Sequence, residues 1–159
     1  MNDGLSHLDE NGAARMVDVS GKDETTRRAV ASAVVQMDPG TLSAIQAGGV
    51  PKGDVLAVAR VAGIQAAKAT PTLIPLCHPI PLGGATVDIA PIGPSSLRVR
   101  ATITTVGRTG AEMEALCAVT VAALTIYDMC KAIDRGMTIE NVGLESKEGG
   151  KSGSWVRPT

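Results

Sequence analysis

The chain has 159 residues, with 15 Lys or Arg against 16 Asp or Glu and a formal net charge of -1. This length predicts one domain with its own core, and the balanced charge excludes a global field that attracts nucleic acid or acidic lipid. With one Trp, one Tyr and no Phe, the chain also lacks the aromatic platform of an RNA-recognition sheet.

The cysteines and the N-terminal residues indicate the compartment. Three cysteines without a C-x-x-C pair indicate neither a disulfide framework nor a zinc site. The first fifteen residues contain Asp3, Asp9 and Glu10 and no apolar run, which argues against a signal peptide. No uninterrupted apolar stretch reaches the ~18 residues of a membrane span. We therefore expect a cytoplasmic protein with no membrane partner and no bound metal.

The first half of the chain alternates polar, strand-like and helix-like segments. Apolar residues alternate from Val30 to Met37, which predicts a strand, and the sequence Asp38-Pro39-Gly40 ends it. The other elements expected here are a flexible N-terminal tail over 1–14, a short strand over 16–20, a short helix over 41–47, and a longer helix capped by Asp54 that runs to Pro71.

The second half begins with a hairpin. Apolar residues alternate over 85–89 and again over 97–103, with a turn between them. A long helix that ends before Gly136, a strand over 138–144 and a flexible Gly/Lys-rich C-terminal tail over 149–159 follow. The resulting order β-α-β-β-α-β predicts an α+β, ferredoxin-like split β-α-β fold, whose antiparallel sheet has its helices packed on one face. We expect residues 15–148 to form this single α+β domain.

The fold leaves two kinds of function open. Ferredoxin-like domains serve as enzymes and as regulatory modules that bind small molecules, so the fold alone does not choose. A non-catalytic, oligomeric regulatory module would explain apolar helices that need covering. It would not explain the ionisable residues that lie in otherwise apolar or Gly-rich surroundings.

The long helix carries charge only near its two ends. Residues 115–127 include no charged side chain, and a helix that is apolar around its circumference is normally buried. Glu112 and Glu114 at its start can complement the helix dipole or bind the N–H edge of a purine or pterin. Asp128 and Lys131 form an ordinary i,i+3 ion pair or, in this uncharged setting, a catalytic pair.

Other candidate residues lie in loops. Cys77 and His78 occupy a proline-stiffened loop, where His78 is either a hydrogen-bonded core histidine or a pre-organised ligand contact. Lys52 precedes a helix N-terminus and is either a solvated lysine or part of an anion site. Lys147 and Lys151 flank a glycine pair and belong either to a disordered tail or to a mobile cationic flap over a polyanion.

Several long motifs in one order resemble the molybdenum cofactor biosynthesis protein C family over roughly residues 15 to 153. The segments that carry this resemblance are MVDVS at 16–20, KGDV at 52–55, AGIQAAK at 62–68, LIPLCHP at 73–79, TGAEMEAL at 109–116, ALTIYDMCK at 123–131 and GGKSG at 149–153. The resemblance implies conversion of 3′,8-cyclo-7,8-dihydro-GTP to cyclic pyranopterin monophosphate with release of pyrophosphate, a lyase reaction. It also implies a homohexamer, a trimer of dimers with its sites at the dimer interfaces.

The resemblance also implies roles for particular residues. Asp128, Lys131 and Lys52 are the expected catalytic residues, with Asp128 and Lys131 as base and acid. The resemblance implies contacts to the nucleotide-derived substrate from Leu76, Cys77, His78, Met113 and Glu114, to which the carboxylate of Glu112 at the helix start is added. The negative charge of the triphosphate requires cations, and the expected phosphate contacts are Lys52, Lys147, Lys151, Lys22 and Arg27. No cofactor is expected, apart from a Mg²⁺ that could accompany the substrate phosphates.

Overall fold

The computed structural model describes residues 8–9 and 11–158. These residues form five strands and three helices, numbered here in chain order. They are β1 (Thr25–Gln36), α1 (Pro39–Gln46), α2 (Val55–Leu73), β2 (Leu82–Gly93), β3 (Ser96–Gly107), α3 (Glu112–Cys130), β4 (Thr138–Glu148) and β5 (Trp155–Val156).

All five strands join one antiparallel sheet in the order β2-β3-β1-β4-β5. Strand β1 lies at the centre, where Ala31 pairs with Ala101 of β3 on one side and with Leu144 of β4 on the other. The first four strands and the two long helices follow the split β-α-β order. The predicted α+β, ferredoxin-like class is therefore confirmed.

The core forms where α3 covers the central strands, and it is built largely from small side chains. Alternate residues of β1 and β3, among them Ala33 and Val99, are fully buried. Helix α3 buries Ala115, Ala118 and Ala122. Helix α2 packs beside α3 at Gly63, where an added Cβ would lie 2.9 Å from the carbonyl oxygen of Ala118. The small residues thus let the two helices approach closely enough to exclude any side chain at position 63.

Helix α3 corrects one expectation from the sequence. An 18-residue window of this 19-residue helix has a mean hydropathy of 1.5, which by length and composition is enough to cross a membrane. A count of uninterrupted apolar residues missed this helix, because the charged residues near its ends interrupt the run. In the structure 56% of that apolar window is buried inside the protein, as in the core helix of a globular domain.

Several element boundaries also differ from the sequence-based expectation. Residues 16–20 form no strand and pair with none of the five strands. Helix α2 continues through Pro71 to Leu73, because the N–H of Ile74 still bonds to the carbonyl of Thr70 and proline removes only one hydrogen bond. Helix α3 ends at Cys130, before a short turn.

The C-terminal part holds more regular structure than we expected. Strand β4 continues to Glu148 and so includes Lys147, which places this lysine on the sheet and not on a mobile flap. Within the segment 149–159, Trp155–Val156 pairs with β4. At the other end of the chain, residues 1–7 and 10 of the expected N-terminal tail lie outside the described residues, and Leu8 bridges to Ala14. The mobility of both tails stays a prediction.

Candidate functional site

Three ionisable side chains meet at the C-terminal end of α3, and we call them the lysine–aspartate cluster. Lys52 Nζ lies 2.8 Å from one carboxylate oxygen of Asp128, and Lys131 Nζ lies 2.7 Å from the other. Lys52 also donates to the backbone carbonyl of Asp128 at 2.9 Å. The cluster forms because the loop before α2, whose N-terminus Asp54 caps through the N–H of Ala57, brings Lys52 beside the end of α3.

Two ammonium groups on one carboxylate change its acidity. Hydrogen bonds from Lys131 and then Lys52 lower the pKa of Asp128 from 3.8 to about 2. The same pairing raises the pKa of Lys131. All three side chains remain about half exposed, so solvent and a ligand can reach them. The cluster therefore presents one ionised carboxylate and two fixed cations.

A cavity of about 630 Å³ lies beside the opposite, N-terminal end of α3. We call it the anion pocket because five cations and two carboxylates line it. The charged residues at its wall are Lys22, Asp23, Arg27, Arg108, Glu112, Lys147 and Lys151. This excess of positive charge suits a ligand with several phosphate oxygens.

Two residues show how the anion pocket is held. Arg27 donates from Nε to the carbonyl of Gly107 at 2.9 Å and from Nη2 to that of Arg108 at 3.2 Å, so it braces the loop after β3. The hydroxyl of Thr25 is buried at the pocket wall and has no hydrogen-bond partner among the described residues. A ligand oxygen in the pocket can supply that partner.

A second cavity, of about 370 Å³, lies next to the first, and we call it the loop pocket. Its wall consists of Ile74, Leu76, Cys77, His78, Thr109, Gly110, Glu112 and Met113. His78 Nε2 lies 2.6 Å from the carbonyl oxygen of Val17. A carbonyl only accepts, so Nε2 carries the proton of this hydrogen bond. The His78 ring is thus both hydrogen-bonded, as in a structural histidine, and placed at a pocket.

Glu112 joins the two pockets. Its carboxylate lies 3.2 Å from Lys147 Nζ and contributes to the walls of both cavities, as do Thr109 and Gly110. A Cβ on Gly110 would overlap this carboxylate, so the glycine leaves the space into which Glu112 folds. The anion pocket and the loop pocket therefore form one continuous region with cations on one side and Cys77 and His78 on the other.

Glu114 lies on the buried side of the same helix turn and is 1% exposed. Burial raises its pKa, and its only side-chain partner among the described residues is the Cys77 thiol, 3.8 Å from Oε1. Its Oε2 has no partner in the described part of the chain. Burial, followed by the charge of Glu114, raises the pKa of Cys77 to about 11, which keeps that thiol protonated. Glu114 also lines a third cavity, of about 340 Å³, with Lys68.

The structure thus brings the predicted site residues together in two groups. One group holds Lys22, Arg27, Leu76, Cys77, His78, Glu112, Met113, Glu114, Lys147 and Lys151, around the adjoining pockets. The other group is the lysine–aspartate cluster. Fourteen residues of α3 separate Glu114 from Asp128, or about 21 Å at 1.5 Å per residue. Within one chain the two groups do not converge on a single reacting centre.

Three charged residues at these cavities were missed by reasoning from the sequence. Arg108 and Asp23 line the anion pocket, and Lys68 lines the third cavity. Arg108 directly precedes the TGAEMEAL motif, and Lys68 ends the AGIQAAK motif, so their position beside quoted motifs was the available signal. Among residues 8–9 and 11–158, no three His, Cys, Asp or Glu side chains group as a metal ion would require.

Comparison with known proteins assigns the chain to a family. The model of the MoaC family matches residues 16–150, which is most of the chain and includes both groups of site residues except Lys151. The chain belongs to the MoaC family. It is 60% identical over 153 residues to "Cyclic pyranopterin monophosphate synthase 3" of Mycobacterium tuberculosis, covering 96% of this chain and 86% of that one.

Other members of the MoaC family are similarly close. A cyclic pyranopterin monophosphate synthase of Roseiflexus sp. is 60% identical over 153 residues, covering 96% of this chain and 97% of the relative. One of Nocardioides sp. is 56% identical over 156 residues, covering 97% of this chain and 96% of the relative. The resemblance stated from the sequence motifs is therefore confirmed.

Proposed function

We infer that this MoaC family chain is a cyclic pyranopterin monophosphate synthase of molybdenum cofactor biosynthesis. The observation that carries this function is 60% identity, over 96% of the chain, to proteins with that name. Its substrate is 3′,8-cyclo-7,8-dihydro-GTP, and its products are cyclic pyranopterin monophosphate and pyrophosphate. Because a new phosphate ester bond forms at the α-phosphorus as the bond to pyrophosphate breaks, the enzyme acts as a phosphorus–oxygen lyase.

The two adjoining pockets support a division of the substrate. The triphosphate carries about four negative charges, which the five cations of the anion pocket can neutralise. The guanine-derived ring would occupy the loop pocket, where Glu112 can accept hydrogen bonds from its N–H edge. Lys147 would then exchange its partner, from the Glu112 carboxylate to a phosphate oxygen.

The lysine–aspartate cluster supplies the proton transfers. With a pKa of about 2, Asp128 is a weak base while both lysines hold it. Substrate phosphates that draw Lys52 or Lys131 away would raise the pKa of Asp128 and restore its basicity. Asp128 then accepts a proton and Lys131 donates one, as the reaction requires several proton transfers.

The separation of the two groups along α3 supports a site shared between subunits. We expect a homohexamer, a trimer of dimers, in which the cluster of one subunit faces the pockets of its partner. Exposed apolar side chains on the helices are consistent with such covering surfaces. They include Val58 and Val61 on α2 and Leu124 on α3, each about half exposed in the single chain.

No resident cofactor is part of this proposal. A Mg²⁺ would enter only on the substrate phosphates, since the side chains that face them are mainly cationic. We propose the cytoplasm as the compartment, and we expect neither nucleic acid nor a membrane as a partner.

The function is tested by incubating the purified protein with 3′,8-cyclo-7,8-dihydro-GTP. We expect stoichiometric release of pyrophosphate and of a cyclic pyranopterin monophosphate identified by mass spectrometry. Glu112→Gln keeps the side-chain volume and loses the charge, so it tests whether the carboxylate of Glu112 is needed to bind the ring of the substrate. Binding of the substrate by calorimetry without any product would instead support the regulatory module.

A further inference from the structure

The wall of the anion pocket extends beyond the segment that the family model matches. That match ends at residue 150, whereas Lys151 and Ser152 also line the pocket. Both residues stand in the loop 149–154, which connects β4 to the two-residue strand β5. The question is what holds this loop at the pocket.

The loop is fixed at both ends by a hairpin. Ser146 pairs with Val156 and Lys147 with Trp155, and the N–H of Arg157 donates to the carbonyl of Glu145 at 2.8 Å. Lys147 Nζ lies 3.2 Å from the hydroxyl oxygen of Ser152, so the loop also closes back onto β4. Without β5, the segment that carries Lys151 would be fixed to the sheet at one end only.

The loop backbone is shaped to lie against β1. Gly149, Gly150 and Gly153 have φ angles of 92°, 75° and 66°, which favour glycine. A Cβ at Gly149 would overlap the carbonyl of Thr26, and one at Gly150 would overlap the guanidinium of Arg27. The loop therefore packs directly on the residues that support the anion pocket, and it needs an element that holds it in this position.

Strand β5, which holds the loop in this position, is short and partly exposed. Trp155 is 40% and Val156 is 71% exposed, and only two residue pairs join β5 to β4. Residues directly opposite in an antiparallel pair project to the same face, so Trp155 lies beside Lys147 on the side that carries Glu112. A ligand that engages Lys147 therefore acts on the residue that pairs with Trp155.

We propose that Trp155 and Val156 are positioning residues for phosphate binding. By pairing with β4 they hold the loop 149–154 over the anion pocket, so that Lys151 and Ser152 meet the pyrophosphate part of the substrate. Because the loop is ordered before the ligand arrives, binding avoids the entropic cost of ordering it. This inference rests on the proposed function for the identity of the substrate, and its own ligand is the diphosphate group.

The main test removes β5 and measures pyrophosphate binding by calorimetry. Deletion of residues 155–159 should weaken pyrophosphate binding ~10-fold, which is what ordering a few residues costs. Deletion of residues 158–159, which leaves the hairpin intact, is the matched control and should bind like the full chain. With the cyclised triphosphate, the larger deletion should raise KM with little change in kcat. Unchanged pyrophosphate affinity, or a loss confined to kcat, overturns the proposal.

Two further variants separate positioning from general damage. Trp155→Phe preserves the strand and should bind like wild type, whereas Trp155→Gly should resemble the deletion. If β5 acts through Lys151, then Lys151→Ala and the 155–159 deletion should not add, and the double variant should bind as the weaker single variant does. Fully additive losses would show that β5 acts elsewhere and would reject the proposal.

The single tryptophan gives a readout that needs no turnover. Since Trp155 is the only Trp of the chain, its fluorescence reports this hairpin alone. Pyrophosphate should change the emission with the midpoint found by calorimetry, and Trp155→Phe should give no signal. Saturating pyrophosphate without any change in emission contradicts the proposal. A pyrophosphate response in a protein that releases no product would overturn the proposed function and leave this inference standing.

Discussion

Asp128 makes more charged contacts than any other carboxylate of the candidate site, and its replacement separates chemistry from structure. Asp128→Asn keeps the volume of the side chain and one acceptor oxygen but removes the charge that holds Lys52 and Lys131. We expect turnover to fall ~10²-fold or more, the usual contribution of general acid–base catalysis. Steady-state pyrophosphate release checks this, with circular dichroism as the folding control. Near wild-type turnover in a folded variant would make Asp128 a structural residue.

The same carboxylate predicts a pH dependence of stability. Because pairing lowers the pKa of Asp128 from 3.8 to about 2, its stabilising effect is complete above the unfolded-state value and is lost as the pH falls towards 2. The difference in unfolding free energy between wild type and Asp128→Asn should therefore be constant from pH 7 to 5 and shrink below about pH 4. Urea titrations across this range measure it. A difference that persists unchanged at pH 2 would mean that the charge does not contribute.

Cys77 gives a second prediction at this scale. Burial is the larger cause of its raised pKa of about 11, and the charge of Glu114 is the second. Alkylation of Cys77 by iodoacetamide should thus stay slow at pH 8 and accelerate towards pH 11, because only the thiolate reacts. Glu114→Gln should lower the midpoint in part and leave the contribution of burial. Peptide mass spectrometry resolves Cys77 from the other cysteines, and fast modification at pH 7 would contradict the prediction.

At the scale of elements, the contact of α2 with α3 depends on Gly63, which has no side chain. A Cβ at Gly63 would lie 2.9 Å from the carbonyl of Ala118 and 3.2 Å from Cβ of Ala122, neither of which can move away without shifting a helix. We expect Gly63→Ala to destabilise the protein by ~1–3 kcal/mol, as overpacked cores do. Urea denaturation measures this change.

Gly40 in α1 provides the control for that substitution. It has no heavy atom within 4 Å of an added Cβ and no positive φ, so Gly40→Ala should stabilise the protein by ~0.4–1 kcal/mol. Equal effects of the two substitutions would show that helix propensity, and not packing, determines the cost at position 63.

The elements that the sequence predicted are those with a strong periodic pattern. Alternation in β1 and β3 and the long apolar run of α3 follow directly from burial on one or all faces, so these elements can be predicted from a single sequence. Residues 16–20 also alternate, but they pair with no strand of the described residues, and so they form no strand. Strand β5 was missed because two residues carry no period, and its pairing depends on the position of β4.

At the scale of the whole molecule, the site was predicted in parts. The contact of Asp128 with Lys131 follows from helical spacing, but that of Lys147 with Glu112 joins a strand to a helix across the fold. No periodicity encodes such a long-range contact. The predicted residues were named from motifs, and the distance between Glu114 and Asp128 follows from the rise of the predicted helix. The contact of Lys52 with Asp128 joins a loop to the end of α3 and required the folded chain.

This separation predicts complementation between subunits. Glu114→Ala and Asp128→Ala proteins, each inactive alone, should regain activity when refolded together, because a mixed dimer holds one site with both defects and one intact site. With random pairing about half of the dimers are mixed, so recovery should reach roughly a quarter of wild-type activity. Mass spectrometry must show that mixed dimers are present. If they are present and inactive, both residues serve the same subunit's site.

Strand β2, at the outer side of the sheet, also matters for how the chain avoids aggregation. It is twelve residues long and pairs only with β3 in the described part of the chain, which leaves one row of backbone groups open. Pro91 has no N–H that could bond to a further strand, and the exposed Asp88 places a charge on β2. Both features oppose edge-to-edge pairing of β2 with another copy of the chain.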